Sequence, residues 1–159
     1  MNGVAAVGGS AGVIVIDTNI VLDLLVFDDP TWVALKAALE TGTLDWIATP
    51  SMRVELERVL GYPLIARRLA KDMRAPGEVL ARFDAQSRTV DAVPARAPFV
   101  CKDPDDQVFI DLAVAHRARL LSKDKLVLAL RKRLATLGVV VSPTFDRAAC
   151  RSSDTGTTQ

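Results

Sequence analysis

Four acidic residues stand at positions where their carboxylates could act together: Asp17, Glu55, Asp106 and Asp124. Asp17 ends the uninterrupted apolar run Val13-Ile14-Val15-Ile16, which is typical of a strand buried on both faces. Asp124 closely follows a second apolar segment, Leu120-Leu121. Because ligands of open α/β sheets bind at the carboxyl ends of the strands, we expect both carboxylates in that crevice.

Glu55 lies at the margin of the apolar face of a predicted helix, residues 51–60. The residues of that face follow helical spacing and are Met52, Leu56, Val59 and Leu60. A glutamate beside a buried face costs free energy unless it has a partner, which favours a role for Glu55 in a site. In the alternative, Glu55 reaches water or pairs with Arg53 or Arg58.

Two of the acids also have a simpler explanation as helix caps. Asp17 precedes an apolar segment that starts at Ile20, and Asp106 falls in the first turn of a predicted helix. Carboxylates are favourable at helix N-termini because of capping hydrogen bonds and the helix dipole. Taken alone, either residue could serve only as a cap.

If the four carboxylates converge, they form a site with oxygen ligands only, which Mg²⁺ or Mn²⁺ prefers. Zinc is disfavoured because His116 is the only histidine and the cysteines, Cys101 and Cys150, are isolated. We expect His116 to be a surface or packing residue. A metal held by carboxylates can activate water and stabilise charge on phosphate, so these residues favour phosphodiester hydrolysis.

Strands alternate with helices along the chain, which predicts an α/β fold with a parallel sheet covered by helices on both faces. The predicted strands are residues 13–17, 44–48, 89–93, 120–122 and 138–143. The predicted helices are residues 20–27, 31–41, 51–60, one or two within 64–88, 105 or 106 to 117, and 124–134. The first and fourth strands are expected to be neighbours, which would bring Asp17 close to Asp124.

The length of 159 residues suits one domain, predicted at 13–145, between a flexible N-terminal extension (1–12) and a disordered tail (146–159). Half of the residues are hydrophobic and only 5% are aromatic, which predicts an aliphatic core. We find no signal peptide, and the longest apolar run is too short to span a membrane. Two isolated cysteines make no disulfide framework, so we expect a cytoplasmic protein.

Charge is distributed unevenly along the chain. Residues 1–61 carry eight acids and three bases, whereas residues 62–159 carry eleven acids and seventeen bases. Within the basic part, we expect Arg67, Arg68 and Lys71 to flank the acidic site and bind a phosphate backbone. The alternative, a solvated helical face, fits the same pattern.

Several motifs together resemble those of PIN-domain ribonucleases. Ile16-Asp17-Thr18-Asn19 resembles the opening of that family, and Ser51-Met52-Arg53-Val54-Glu55-Leu56 resembles its glutamate helix. Asp103-Pro104-Asp105-Asp106 and the later Leu120-Leu121-Ser122-Lys123-Asp124 are similar to its last two acidic motifs. No single motif is specific, but four occur in order between residues 13 and 145. The Asp-Pro-Asp-Asp form and the closing Val139-Val140-Val141-Ser142-Pro143 resemble a subgroup of toxins from toxin–antitoxin pairs.

The resemblance implies a three-layer α/β/α, Rossmann-like domain with a five-stranded parallel sheet, and a Mg²⁺- or Mn²⁺-dependent endoribonuclease. The four acids named above carry over as the family's catalytic and metal-binding residues. Asn19 and Ser122 match supporting positions, and Asp105 competes with Asp106 for the third acidic role. Asp106 is preferred because its eighteen-residue spacing to Asp124 resembles that of the family. Ser122 stands where family members often have threonine, but it keeps the hydroxyl.

The resemblance further implies an RNA substrate and a cognate antitoxin protein, with a homodimer as a possible assembly. We weigh three other functions: a PIN-fold nuclease of RNA processing without an antitoxin, a non-catalytic RNA- or protein-binding module, and a phosphotransfer or phosphatase domain with an aspartyl nucleophile. The last would need a second aspartate two residues after Asp17, where the chain has Asn19.

Overall fold

The computed structural model describes residues 12–91, 96–101 and 104–145. The predicted tail, Cys150 and the predicted N-terminal extension apart from Gly12 lie outside the described residues. Gly12 has a φ of 96°, and its carbonyl accepts a 3.1 Å hydrogen bond from the Asp45 N–H. The hydrogen bonding of the described domain therefore starts at Gly12.

A parallel five-stranded sheet forms the centre of the described structure. Its strands are β1 (Val13–Ile16), β2 (Asp45–Ala48), β3 (Ser87–Thr89), β4 (Arg119–Leu121) and β5 (Val141–Ser142). Their order across the sheet is β3-β2-β1-β4-β5. The apolar run at the start of the chain is thus the central strand, and β1 pairs directly with β4, as predicted.

Helices connect the strands. They are α1 (Thr18–Leu25), a 3₁₀ turn (Pro30–Trp32), α2 (Val33–Glu40), α3 (Pro50–Leu60), α4 (Pro63–Lys71), α5 (Pro76–Gln86), α6 (Pro104–His116), α7 (Lys125–Leu128) and α8 (Arg131–Ala135). Five of these segments begin with proline, whose fixed φ suits the first helical position. The polar side chains of Asp17, Thr49 and Asp124 cap α1, α3 and α7.

The helices and the sheet form three layers, α/β/α, as predicted. Helix α6 packs against β1 and β4, whereas α1, α3 and α5 pack on one another. The core between them is aliphatic, and Ile14, Val15, Leu25 and Ile110 have no solvent exposure. In the described residues no helix is long and apolar enough to cross a membrane.

The third strand was predicted wrongly at residues 89–93, because β3 starts two residues earlier and ends at Thr89. Its partner β2 ends at Ala48, because Thr49 leaves the sheet to cap α3. Ser87 already has extended backbone where α5 ends, so the helix passes into the strand without a loop. Residues 92 and 93 of the predicted strand lie outside the described residues.

Two boundaries near the end of the domain also differ from the prediction. The helix predicted at 124–134 is split by a turn at Ala129 and Leu130 into α7 and α8. The strand predicted at 138–143 is confined to Val141–Ser142. Gly138 has a φ of 82° there, and the Val139 N–H is still bonded to the Leu134 carbonyl, so pairing starts late.

Candidate active site

Asp17 and Ser122 meet where β1 and β4 end. Each follows its strand directly, and both side chains are buried, with 4% and 1% of their surface exposed. The Ser122 hydroxyl donates a 2.7 Å hydrogen bond to Asp17 Oδ2. The other carboxylate oxygen, Oδ1, accepts the Asn19 N–H at 3.4 Å, so Asp17 also caps α1. Capping and membership in a site are therefore compatible for this residue.

Asp124 is attached to the same hydroxyl. Its N–H donates to Ser122 Oγ at 3.1 Å, while its Oδ1 accepts the N–H groups of Leu126 and Val127 at the start of α7. Ser122 therefore connects two acids, since its oxygen is a donor to Asp17 and an acceptor for the Asp124 backbone. The side chain of Asp124 is half-buried.

All four predicted acids line one open cleft of about 400 Å³. Asp17 and Asp124 come from the ends of adjacent strands, Glu55 from the middle of α3, and Asp106 from the first turn of α6. Glu55 is half-buried at the edge of the apolar face of α3, as its position in the helix predicts, and Asp106 is 9% exposed. The fold thus brings together residues up to 107 positions apart in the chain.

The predicted supporting residues are placed differently from one another. Asn19 is exposed and lines the cleft, whereas Ser122 is buried and donates its hydrogen bond to Asp17 from the interior. Asp105 lies in the first turn of α6, but its side chain lies outside the described residues. His116 is the last residue of α6, and it is exposed, as a surface residue is expected to be, and does not line the cleft.

The cleft raises the pKa of Asp17 above its ordinary value. Burial is the main cause, and the negative charge of Asp124 adds to it. The hydrogen bonds from Ser122 and Asn19 act in the opposite direction but do not compensate fully. The anionic form of Asp17 therefore lacks a sufficient counter-charge.

The donor chemistry of the cleft fits a hard divalent cation, because four carboxylates surround one space that admits solvent. A cation there would supply the counter-charge that Asp17 lacks. In the part of the chain that the structure describes, no three histidine, cysteine, aspartate or glutamate side chains are already arranged to hold a metal ion. The cleft therefore supplies suitable ligands, although they are not preassembled.

A basic groove adjoins this acidic cleft. Arg67, Arg68 and Lys71 line it together with Phe27, and Leu64 lines both the groove and the cleft. The Arg68 guanidinium lies 5.3 Å from the centre of the Phe27 ring and also pairs with Asp72 at 2.8 Å. The three cations thus stand beside the acidic cleft, on α4.

Sequence reasoning did not assign three features of the cleft region. Arg58, one turn after Glu55, lines the cleft, and so does the exposed ring of Tyr62. Lys123, which directly precedes Asp124, bonds Asp23 Oδ2 at 2.5 Å, and Asp23 also accepts the Trp32 Nε1–H. The position of Arg58 could have been predicted from its helical spacing to Glu55. The positions of Tyr62 and Lys123 could not, because they depend on long-range packing.

Comparison with known proteins identifies a family for this chain. A comparison with curated proteins finds none that matches the chain. The family model of the PIN domain matches residues 13–125. PIN domains are typically nucleases that generally use divalent metals, which supports a hydrolase acting on nucleic acid. The matched segment runs from the first residue of β1 to the residue after Asp124, contains every acid of the cleft and covers most of the chain, so this protein belongs to the PIN-domain family.

Proposed function

We propose that this protein is an endoribonuclease that hydrolyses RNA phosphodiester bonds with Mg²⁺ or Mn²⁺. The convergence of Asp17, Glu55, Asp106 and Asp124 on one cleft carries the proposal. Helix capping alone would account for Asp17 and Asp124, but it gives no reason for a glutamate from the middle of α3 to border the same space. Donor type and a solvent-accessible cleft both support a hard cation.

The four carboxylates of the cleft would be the ligands of the divalent cation. When bound, such a cation lowers the pKa of water and neutralises charge on the reacting phosphate. The residues of the chain hold these carboxylates in place. Ser122 fixes one oxygen of Asp17 and the backbone of Asp124, and the N-terminus of α7 fixes Asp124 Oδ1. The backbone N–H of Asn19 donates a hydrogen bond to the other oxygen of Asp17.

The basic groove supports an RNA substrate. Four carboxylates repel a phosphate backbone, so cations beside the cleft are needed to recruit it. Arg67 and Lys71 are exposed, and Arg68 is half-buried against Phe27. We therefore assign the three residues to binding of the RNA backbone next to the site of cleavage.

An assay of the purified chain on RNA tests this function. Three substrates are incubated with the protein: a structured RNA, an unstructured RNA, and a single-stranded DNA with the sequence of the unstructured RNA. Each is tested with Mn²⁺, with Mg²⁺ and with a chelator. We expect cleavage of RNA that needs a divalent ion and is lost in the chelator. Cleavage that persists in the chelator would contradict the metal requirement, and intact RNA under every condition would contradict the nuclease function.

The toxin role is the finer part of the proposal, and it rests on the subgroup resemblance of the sequence. A toxin of this chemistry would act on RNA in the cytoplasm and be held inactive by a cognate antitoxin. Expression of the chain alone should then arrest growth, whereas Asp17→Asn should not. Co-expression of a small DNA-binding protein encoded next to it should restore growth. Unimpaired growth with a soluble, RNA-cleaving wild type would favour a role in RNA processing.

Such an antitoxin should place an arginine or lysine in the acidic cleft. A cation there satisfies the carboxylates, and a guanidinium adds two parallel hydrogen bonds. Complex formation should therefore be weakened when Mn²⁺ is added in excess. A complex that forms equally well with saturated metal would contradict this mode of inhibition.

A further inference from the structure

Tyr62 presents an exposed aromatic ring at the rim of the acidic cleft. It is the only tyrosine of the chain, and 48% of its surface is exposed. Its backbone is held on both sides, since its N–H donates to the Val59 carbonyl at 3.0 Å and its carbonyl accepts the Ala66 N–H at 2.8 Å. The residue caps α4 in an extended conformation, directly before Pro63. The backbone of Tyr62 is thus hydrogen-bonded on both sides, and its ring is accessible to a ligand.

The exposure of this ring is unusual for the protein. The remaining aromatic residues that the structure describes are buried or half-buried: Phe27, Trp32, Trp46, Phe83, Phe99, Phe109 and Phe145. Tyr62 instead lines the same cleft as the four acids. Next to it, Leu64 is 69% exposed and borders both the cleft and the basic groove. Tyr62 and Leu64 therefore form an apolar surface between the acids of the cleft and the cations on α4.

This order of surfaces fits a ligand that carries phosphates and a flat face in alternation. A single-stranded nucleic acid has this form, since each unstacked base offers a face for an aromatic side chain, and the backbone continues to the next cation. A duplex keeps its bases stacked inside and cannot offer such a face without the free-energy cost of unstacking. A protein segment could also cover Tyr62 and Leu64, but Tyr62 lines the cleft assigned above to RNA cleavage, so we assign it to the nucleic acid.

We propose that Tyr62 is a stacking platform for an unpaired nucleobase next to the phosphate that is cut. The proposal rests on the ribonuclease function and adds a base-binding residue to it. The aromatic face is the essential feature, because stacking uses the ring and not the hydroxyl. Tyr62→Phe should therefore behave like the wild type, whereas Tyr62→Leu should not, although it keeps apolar bulk.

Binding without cleavage gives the cleanest test. An intact short single-stranded RNA is titrated onto the protein in the presence of chelator. The same titration is carried out with versions of this RNA that each lack one base, and with a duplex. The variants are Tyr62→Phe, Tyr62→Leu and Met73→Ala, the last as a control because Met73 is 91% exposed but lines neither the cleft nor the groove. Thermal melts establish that each variant is folded.

We expect Tyr62→Leu to bind the intact strand about tenfold more weakly, which corresponds to one stacked base. Tyr62→Phe and Met73→Ala should bind like the wild type, and one abasic position should remove the difference between wild type and Tyr62→Leu. Wild-type affinity in Tyr62→Leu would overturn the proposal, as would a weakening that no abasic position reduces, which would indicate a different interaction. If instead the wild type neither binds nor cleaves any RNA, the ribonuclease function itself fails, and this inference with it.

Discussion

Ser122 donates a 2.7 Å hydrogen bond to Asp17 Oδ2 across 105 positions of the chain. This hydrogen bond joins the ends of β1 and β4, which are neighbours in the middle of the sheet. The same oxygen of Ser122 accepts the Asp124 N–H, so one buried hydroxyl sets the relative positions of two acids of the cleft. The geometry of the candidate site therefore depends on a residue that is itself hidden from solvent.

Ser122→Ala should lower both stability and metal binding. Hydrogen bonds to charged groups are worth about 1.5–3 kcal/mol, and the substitution leaves Asp17 with less compensation for its burial. Ser122→Thr keeps the hydroxyl and should retain the increase in Tm that Mn²⁺ causes. Denaturant titrations and melts with Mn²⁺ measure the two effects. An equal response to Mn²⁺ in Ser122→Ala and the wild type would contradict the positioning role.

The pKa of Asp17 predicts how stability depends on pH in the absence of metal. Because the folded protein raises this pKa above its ordinary value of 3.8, the folded state holds the proton more tightly than the unfolded state. The corresponding stability is fully present below the ordinary pKa and is lost as pH rises through the raised pKa. Asp17→Asn should remove this loss, so its stability relative to the wild type should increase from acidic to neutral pH. Denaturation in chelator across that range would show a constant difference if Asp17 were not perturbed.

Local patterns in the sequence were sufficient to predict much of this architecture. The uninterrupted run of β1 identifies a strand buried on both faces, and its central place in the sheet follows from that. The apolar face of α3 places Glu55 at its margin, where the structure has it half-buried. These predictions succeed because burial imposes a periodicity that neighbouring residues reveal.

Other features depend on partners distant in sequence. The pattern around Thr89 and Val90 suits a strand, but β3 ends at Thr89 because β2 has no further residues to pair with. The position of Lys123 is determined by Asp23, one hundred residues away. Tyr62 lies between the helices predicted at 51–60 and within 64–88, but its exposure beside the acids depends on how α3 packs against α1, α4 and α5.

Glu55 can be separated from a general effect of charge by a matched pair on one helix. Glu55 lines the cleft, whereas Glu57 lies two residues away on α3, is exposed and does not line it. Glu55→Gln should abolish Mn²⁺-dependent cleavage of RNA, and Glu57→Gln should leave the rate unchanged. Both rates are measured at saturating metal. Equal rates for the two variants would exclude Glu55 from the site.

The basic groove predicts a change in the salt dependence of RNA binding. Replacing Arg67, Arg68 and Lys71 together with alanine should reduce the slope of log K against log salt. For a single strand the reduction is about 0.7 for each phosphate that the protein no longer neutralises. We expect a smaller reduction than three phosphates would give, since Arg68 is already paired with Asp72.

A control for that experiment removes the same charge elsewhere. Arg131, Lys132 and Arg133 are exposed on α8 and line neither the cleft nor the groove. Their joint replacement by alanine should leave the salt slope of the wild type nearly intact. Equal slopes for the two triple variants would show that the groove has no special part in binding.

RNA cleavage by Asp17→Asn and Asp106→Asn, followed together with Mn²⁺-dependent melting, tests most directly whether the four carboxylates form one metal-dependent site. Both substitutions keep the shape of the side chain and remove one charge. Asp91→Asn, an exposed residue outside the cleft, serves as the control. We expect each cleft variant to lose cleavage and most of the stabilisation by Mn²⁺, which binds the folded state preferentially, while the control keeps both. Full cleavage by Asp17→Asn or Asp106→Asn, with the wild-type response to Mn²⁺, would contradict the role of that carboxylate in the site.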